Sequence, residues 1–143
     1  MSSRLYQAIV SRWDDQSLDT SFPGGLYFGR APAKSTFPYV VMYSLGNVPR
    51  GFTSQSEFRN QFIQFTIFYK EDNSTDPVIS LGTLMRTLDT AMMEAPLAVA
   101  SGDVLTFRRT RDDLVADPEA QGVWQGQIDY AAIRRVAYDC DGA

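Results

Sequence analysis

The chain has 143 residues, 44% of them hydrophobic, 21% charged and 13% aromatic, with a formal net charge of −4. A chain of this length buries enough surface to fold as one domain over residues 1–143 without disulfide or metal, and the composition excludes a disordered segment. Counterion release rewards a basic face, so the acidic balance argues against nucleic-acid binding by the whole domain and suits a surface that nucleic acid passes without sticking.

Ser2 or Ser3 offers a capping oxygen for a first helix. Tyr6, Ile9, Val10 and Trp13 then recur at helical spacing as one apolar stripe, ended by Asp14-Asp15 and the polar run to Ser21. Phe22-Pro23-Gly24-Gly25 signals a turn, and LYFGR (26–30) predicts a short strand. Phe37-Pro38 favours extended backbone, and YVVMYSLGNV (39–48) reads as a buried strand followed by a Gly/Ser/Thr-rich loop from Pro49 to Ser56.

RNQFIQFTIFYK (59–70) alternates as a long strand. Ile63, Phe65, Ile67 and Tyr69 share one face, which suits a core; Phe62, Gln64, Thr66 and Phe68 share the other. Two aromatics on the more polar face fit either a sheet partly covered on both sides or a subunit contact. Phe52 beside Arg50 in the preceding loop adds to the second reading, because aromatics and Arg are enriched at interfaces.

After a polar turn, Asp76-Pro77 predicts a helix start, with Leu81, Leu84, Met85, Leu88 and Met92 as its buried stripe and Pro96 as its stop. DVLTFRRTRDD (103–113) and VWQGQIDYAAIRR (123–135) predict two further strands, with Trp124, Ile128 and Tyr130 opposing Gln125, Gln127 and Asp129. LVADPEAQG between them reads as a mobile loop, and the end from about residue 138 as flexible. Together these elements predict an α+β fold: a mainly antiparallel sheet of four to five strands with two helices packed on one face.

The chemistry of catalysis is sparse. With no histidine in the chain, Ser-His-Asp, Cys-His and His-based zinc arrangements are all excluded. Asp14-Asp15, Asp112-Asp113 and Asp139/Asp141 read as solvated charges, with a carboxylate-only magnesium site as the sharper alternative. Arg109 and Arg111 are placed on one strand face, where they pair with neighbouring carboxylates or meet an acidic partner subunit or phosphate. The lone Cys140 builds no internal disulfide, no apolar run reaches the roughly 18 residues of a membrane span, and MSSRLYQAIV lacks a signal-peptide pattern. The expectation is a non-enzymatic protein with no cofactor, metal or membrane partner, made in the cytoplasm.

The ordered set of an N-terminal helix, Phe37-Pro38-Tyr39-Val40-Val41, a long Gln/Phe-alternating strand, Asp76-Pro77 and a closing Trp124…Tyr130 strand resembles tail-completion or tail-terminator proteins of long-tailed bacteriophages, over roughly residues 3 to 137. That resemblance implies a virion protein of the tail or neck, assembled in the host cytoplasm. It implies a ring, typically a hexamer, that caps the tail tube, ends tube polymerisation and joins the head connector, with DNA passing through its channel. On strand alternation and loop composition, Arg50, Phe52, Phe62, Phe68, Arg109 and Arg111 are the contact candidates, and loops 48–57 and 114–122 would meet the tube or neck. A head-side connector, another minor tail protein, a generic adaptor and a small carboxylate-dependent metal enzyme are the competing expectations.

Overall fold

The computed structural model describes residues 3–52, 56–72, 76–93 and 104–137, and within these the side chains of 5–46, 59–72, 76–93 and 107–133. Helix α1 spans Ser3–Asp15. It buries Leu5, Ala8, Ile9 and Trp13, so the stripe is turned slightly from the expected one and leaves Tyr6 and Val10 at its half-buried flanks. Beyond Asp15, the Trp13 indole N–H donates to Asp19 Oδ1 at 2.8 Å, which holds the short 3₁₀ turn Leu18–Thr20 back against the helix. Leu18 and Phe22 thereby join the core, the Phe22 ring 5.5 Å from that of Trp13.

Helix α2 spans Pro77–Met93 and starts as its sequence dictates. Asp76 Oδ1 accepts the Val78 N–H at 2.9 Å, while proline takes the first helical position, where a missing N–H costs nothing. Leu81, Leu88, Ala91 and Met92 are buried, and Leu84 and Met85 pack against the same core. The last turn of a helix leaves carbonyls without intrahelical donors. Here Arg12 of α1 reaches across and donates to the carbonyls of Ala91 and Met92 at 2.9 and 3.4 Å, a cation placed at the negative end of the helix dipole.

The sheet has five strands, β1 (Leu26–Phe28), β2 (Tyr39–Phe52), β3 (Ser56–Lys70), β4 (Val104–Ala116) and β5 (Val123–Ala137). Their order is β1-β2-β3-β5-β4, with β1 parallel to β2 and the other pairs antiparallel. The fold is therefore α+β with a mixed, mostly antiparallel sheet. Rows of inward residues cross it in register: Val40, Ile67 and Gly126; Met42, Phe65 and Ile128; Ser44, Ile63 and Tyr130. With the buried residues of both helices these form one apolar cluster, in which each fully buried aliphatic or phenyl side chain contributes about 1.5–3 kcal/mol. Glycine at 126 has a specific cause: a Cβ there would stand 2.8 Å from Met85 Cγ and Sδ and 3.2 Å from Leu81 Cδ1, so it admits α2 onto β5.

Two sequence expectations are corrected. The Pro49–Ser56 stretch is largely strand, since β2 continues to Phe52 and β3 begins at Ser56, pairing through Pro49↔Arg59 and Phe52↔Glu57. Composition suggested a loop, but the partner strand supplies the hydrogen bonds that make it a ladder. Proline is tolerated because β1 covers only residues 40–42 of β2, leaving an edge where no N–H is needed. Likewise β4 runs on to Ala116, so Leu114 and Val115 belong to a strand and the connection shrinks to residues 117–122. That turn is tied down: Asp117 N–H donates to Val123 O at 2.8 Å, Glu119 N–H to Asp117 Oδ1 at 2.9 Å, and Glu71 N–H to Gly122 O at 2.8 Å.

Two glycines give opposite expectations. At Gly24 a Cβ would collide with the backbone carbonyl of Thr36 and approach Tyr39 Cβ to 2.7 Å, at the seam that docks β1 beside β2. Gly24→Ala is expected to cost about 1–3 kcal/mol in urea unfolding, as overpacking against backbone does. Gly82 lies inside α2 with nothing within 4 Å of a Cβ, so Gly82→Ala is expected to stabilise by about 0.5–1 kcal/mol through helix propensity. Equal effects of the two substitutions would refute this reading.

Candidate assembly surfaces

The face of the sheet turned away from the core carries Tyr39, Val41 and Tyr43 from β2 and Phe62, Gln64, Thr66 and Phe68 from β3. In register beside these lie Gln125, Gln127, Asp129 and Ala131 from β5. At one end it is aromatic. Phe68 stacks on Tyr39 with ring centroids 4.9 Å apart and planes 17° from parallel, while Phe37 and Tyr27 approach the same Tyr39 ring at 5.3 and 6.2 Å. Pairs of this kind contribute about 0.5–1.5 kcal/mol beyond their buried area. Farther along, Gln64 Nε2 donates to Asp129 Oδ1 at 3.0 Å. Val41 and Thr66 are 2% and 3% exposed here, shut in among larger neighbours of the same face.

The two phenylalanines of this face therefore differ. Phe68 is half-buried by an intramolecular partner that only the register supplies. Phe62, also half-buried, pairs across the ladder with Gly46 and Ala131, neither large enough to cover a phenyl ring. Arg50 and Phe52 belong to β2 by backbone, and their side chains lie outside the described residues. Residues 94–103 and 138–143, including Cys140, Asp139 and Asp141, also lie outside them.

The expected pairing of Arg109 and Arg111 on one face is overturned. A register shift between them leaves Thr110 as an extra residue, so Arg109 lies opposite Tyr130 and Arg111 opposite Asp129. Tyr130 belongs to the core face and Asp129 to the outer one, and the bulge sends the two guanidinium groups to opposite sides. The neighbouring carboxylates divide in the same way, Asp112 lying 3.6 Å from Arg109 and Asp113 3.9 Å from Arg111. A strict alternation rule has no means of seeing one inserted residue.

On the core side, Arg109 ends in a network that the sequence reading missed. Asp89 of α2 accepts the Tyr130 hydroxyl at 2.7 Å on Oδ1 and Arg109 Nη1 at 2.9 Å on Oδ2. Tyr130 is fully buried, stacked on Phe107 at 4.8 Å and edge-on to Phe65 at 5.6 Å, and Asp89 satisfies its one polar atom. Burial first, then the hydrogen bond and negative charge of Asp89, push the phenol well above its ordinary value near 10. An Asp on the otherwise apolar flank of α2 was the available signal. Beside this network, α2 and β4 bound an open groove of about 490 Å³, with Met85, Leu114 and Ile128 as its floor and Arg86, Asp112 and Asp113 among its rim.

The network makes a pH prediction. A group whose pKa is raised in the folded state holds its proton more tightly there than in the unfolded chain. Its stabilisation is complete below the ordinary tyrosine value near 10 and declines as pH rises beyond it. Burial, with a contribution from Asp117, raises Tyr39 in the same direction. Stability measured by urea unfolding is expected to fall above pH 10, and Tyr130→Phe is expected to flatten that fall while lowering neutral-pH stability by about 0.5–1.5 kcal/mol. An unchanged alkaline slope in the variant would show that Tyr130 does not titrate in this way.

A search among curated protein sequences finds no match. In overall structure the chain is similar to a protein of the virion of a native gene transfer agent particle, with a TM-score of 0.75 at 9% identity, covering 92% of this chain and 95% of the other. At that identity the likeness speaks for the fold alone. The sequence itself matches the family of tail completion protein gp17 over residues 7–135. The chain therefore belongs to the tail-completion family: it is a structural protein of the phage virion tail and not an enzyme.

Proposed function

We propose that this tail component works as the subunit of a ring, six-fold in the form typical of terminators, that caps the tail tube, ends its polymerisation and presents the joint to the head connector. The observation that carries this reading is the outer sheet face. Phe62 stays only half-buried between Gly46 and Ala131, on a component whose family acts by assembly and not by turnover. Ring formation needs such surfaces, because a closed ring is built from heterologous contacts between unlike patches. Phe62 is placed in a subunit contact and Phe68 at its margin. Arg50, Phe52 and Arg111 are placed toward the tube or neck, the 117–122 turn at the margin of the subunit contact, and Arg109 is withdrawn from the list by its engagement with Asp89.

Electron microscopy of a lysate from phage lacking this gene tests the reading. The expected result is full heads standing apart from tails of irregular and excessive length, since nothing then stops the tube. Defective heads beside free tails of normal length would move the protein to the head side of the joint, and ordinary virions would remove it from tail completion altogether.

A further inference from the structure

The two ends of the sheet differ in a way that suits a head-to-tail contact. At one end, β1 pairs with only three residues of the fourteen-residue β2, so from Tyr43 onward β2 has a strand neighbour on one side only, among the described residues. A bulge between Ser44 and Gly46 inserts Leu45, with Gly46 at a φ of 135°, a backbone that side-chain-bearing residues rarely adopt. The bulge turns Leu45 out to 52% exposure, and Phe28 on the adjoining β1 is 50% exposed. The stretch of chain that builds this end is basic: between Thr20 and Ser56 the charged residues are Arg30, Lys34 and Arg50, without a carboxylate.

The other end carries both signs, and its carboxylates gather at the groove and the turn beyond it. There β4 is the edge strand, and the groove beside it has an apolar floor of Met85, Leu114 and Ile128. Its rim carries Asp112 and Asp113 beside Arg86, with Arg109 turned inward to Asp89 and with Asp117 and Glu119 on the turn just beyond. One carboxylate of the site, Asp89, is already taken by Tyr130 and Arg109; Asp112 and Asp113 are exposed, their arginine neighbours no closer than 3.6 and 3.9 Å.

We propose that a second copy of this chain docks here, its bulge residue Leu45 seated in the α2–β4 groove of the neighbour and its basic β1–β2 connection against Asp112, Asp113 and the acidic turn. Knob and hole lie at opposite edges of one sheet, so the contact repeats without being self-complementary, as a ring requires. The inference rests on the ring reading above and specifies which surfaces meet.

Two surface substitutions test it: Leu45→Arg removes the knob, and Gly82→Tyr fills the hole from α2, where glycine has open space around it. Unchanged urea midpoints identify folded variants, with Leu45→Glu in reserve. Sedimentation velocity, on the chain alone and with tail tubes made without it, is expected to show wild-type oligomers and each variant monomeric. An equimolar mixture of the two variants is expected to give dimers and nothing larger, because each pair retains one intact knob and one intact hole. Oligomers from either variant alone, or a mixture that stays monomeric, would overturn the contact and leave the ring reading standing. A wild-type chain monomeric both alone and with tubes would overturn the ring reading, and this contact with it.

Discussion

Fifteen consecutive residues of β3 pair with β5 without a slip, from Ser56↔Ala137 to Lys70↔Val123, whereas β2 on the other side needs two irregularities to keep step. That uninterrupted ladder is the constraint from which the fold is built. A shift of one residue would carry Ile63, Phe65 and Ile67 to the outer face and bring Gln64 and Thr66 against the helices. Every buried row of the sheet crosses β3, α2 packs on those rows, and the buried residues of α1 join the same apolar cluster. Gly126 belongs to the same constraint, since α2 meets β5 closely only where the register sets a residue without a side chain beneath Met85.

With the centre fixed in this way, irregularity is confined to the edges. The bulge at Leu45 and the register shift around Thr110 lie on β2 and β4, strands whose other sides are little paired or unpaired among the described residues. A bulge on β3 would disturb two ladders; on an edge it disturbs one and re-aims a side chain. Leu45 is turned outward, and Arg109 is separated from Arg111 so that one arginine serves the Tyr130–Asp89 network and the other faces the outer side. Edge strands are also where unwanted pairing begins, and the run Arg108, Arg109, Arg111, Asp112 and Asp113 gives β4 the charges that discourage it.

What the sequence revealed follows the same division between local and non-local causes. The alternation in β3, the Asp76-Pro77 start of α2 and the polar outer residues of β5 are set by neighbours in the chain, and each stands where its pattern put it. The hairpin arms around Pro49 and Phe52 have the composition of a loop, because their order comes from a partner strand. The stacking of Phe68 on Tyr39 is not legible in the sequence, because the two are distant along the chain and adjacent only through the β2–β3 register. Arg109 and Arg111 were paired because a single inserted residue leaves no trace in composition. The Asp89–Tyr130 bond, spanning 41 positions, was equally invisible, although an acid among the stripe residues of α2 hinted that something polar lay beneath.

The absence of histidine and the unequal sheet ends bear on the same point. An enzyme concentrates its polar irregularities in a cleft, where perturbed groups do chemistry. Here the strongly perturbed group, Tyr130, is sealed in the core, and its partners Asp89 and Arg109 tie α2 to β4 and form one side of the groove. The network therefore sets shape: it fixes how far the helix stands from the edge strand, and so the width of the groove between them. In a ring, small errors of angle accumulate around the circle and prevent closure, so a subunit gains from holding its contact surfaces on a braced helix and sheet. The buried hydrogen bond and the uninterrupted β3–β5 ladder brace the centre of this domain, and the edge-confined bulges leave it with two unlike sheet edges.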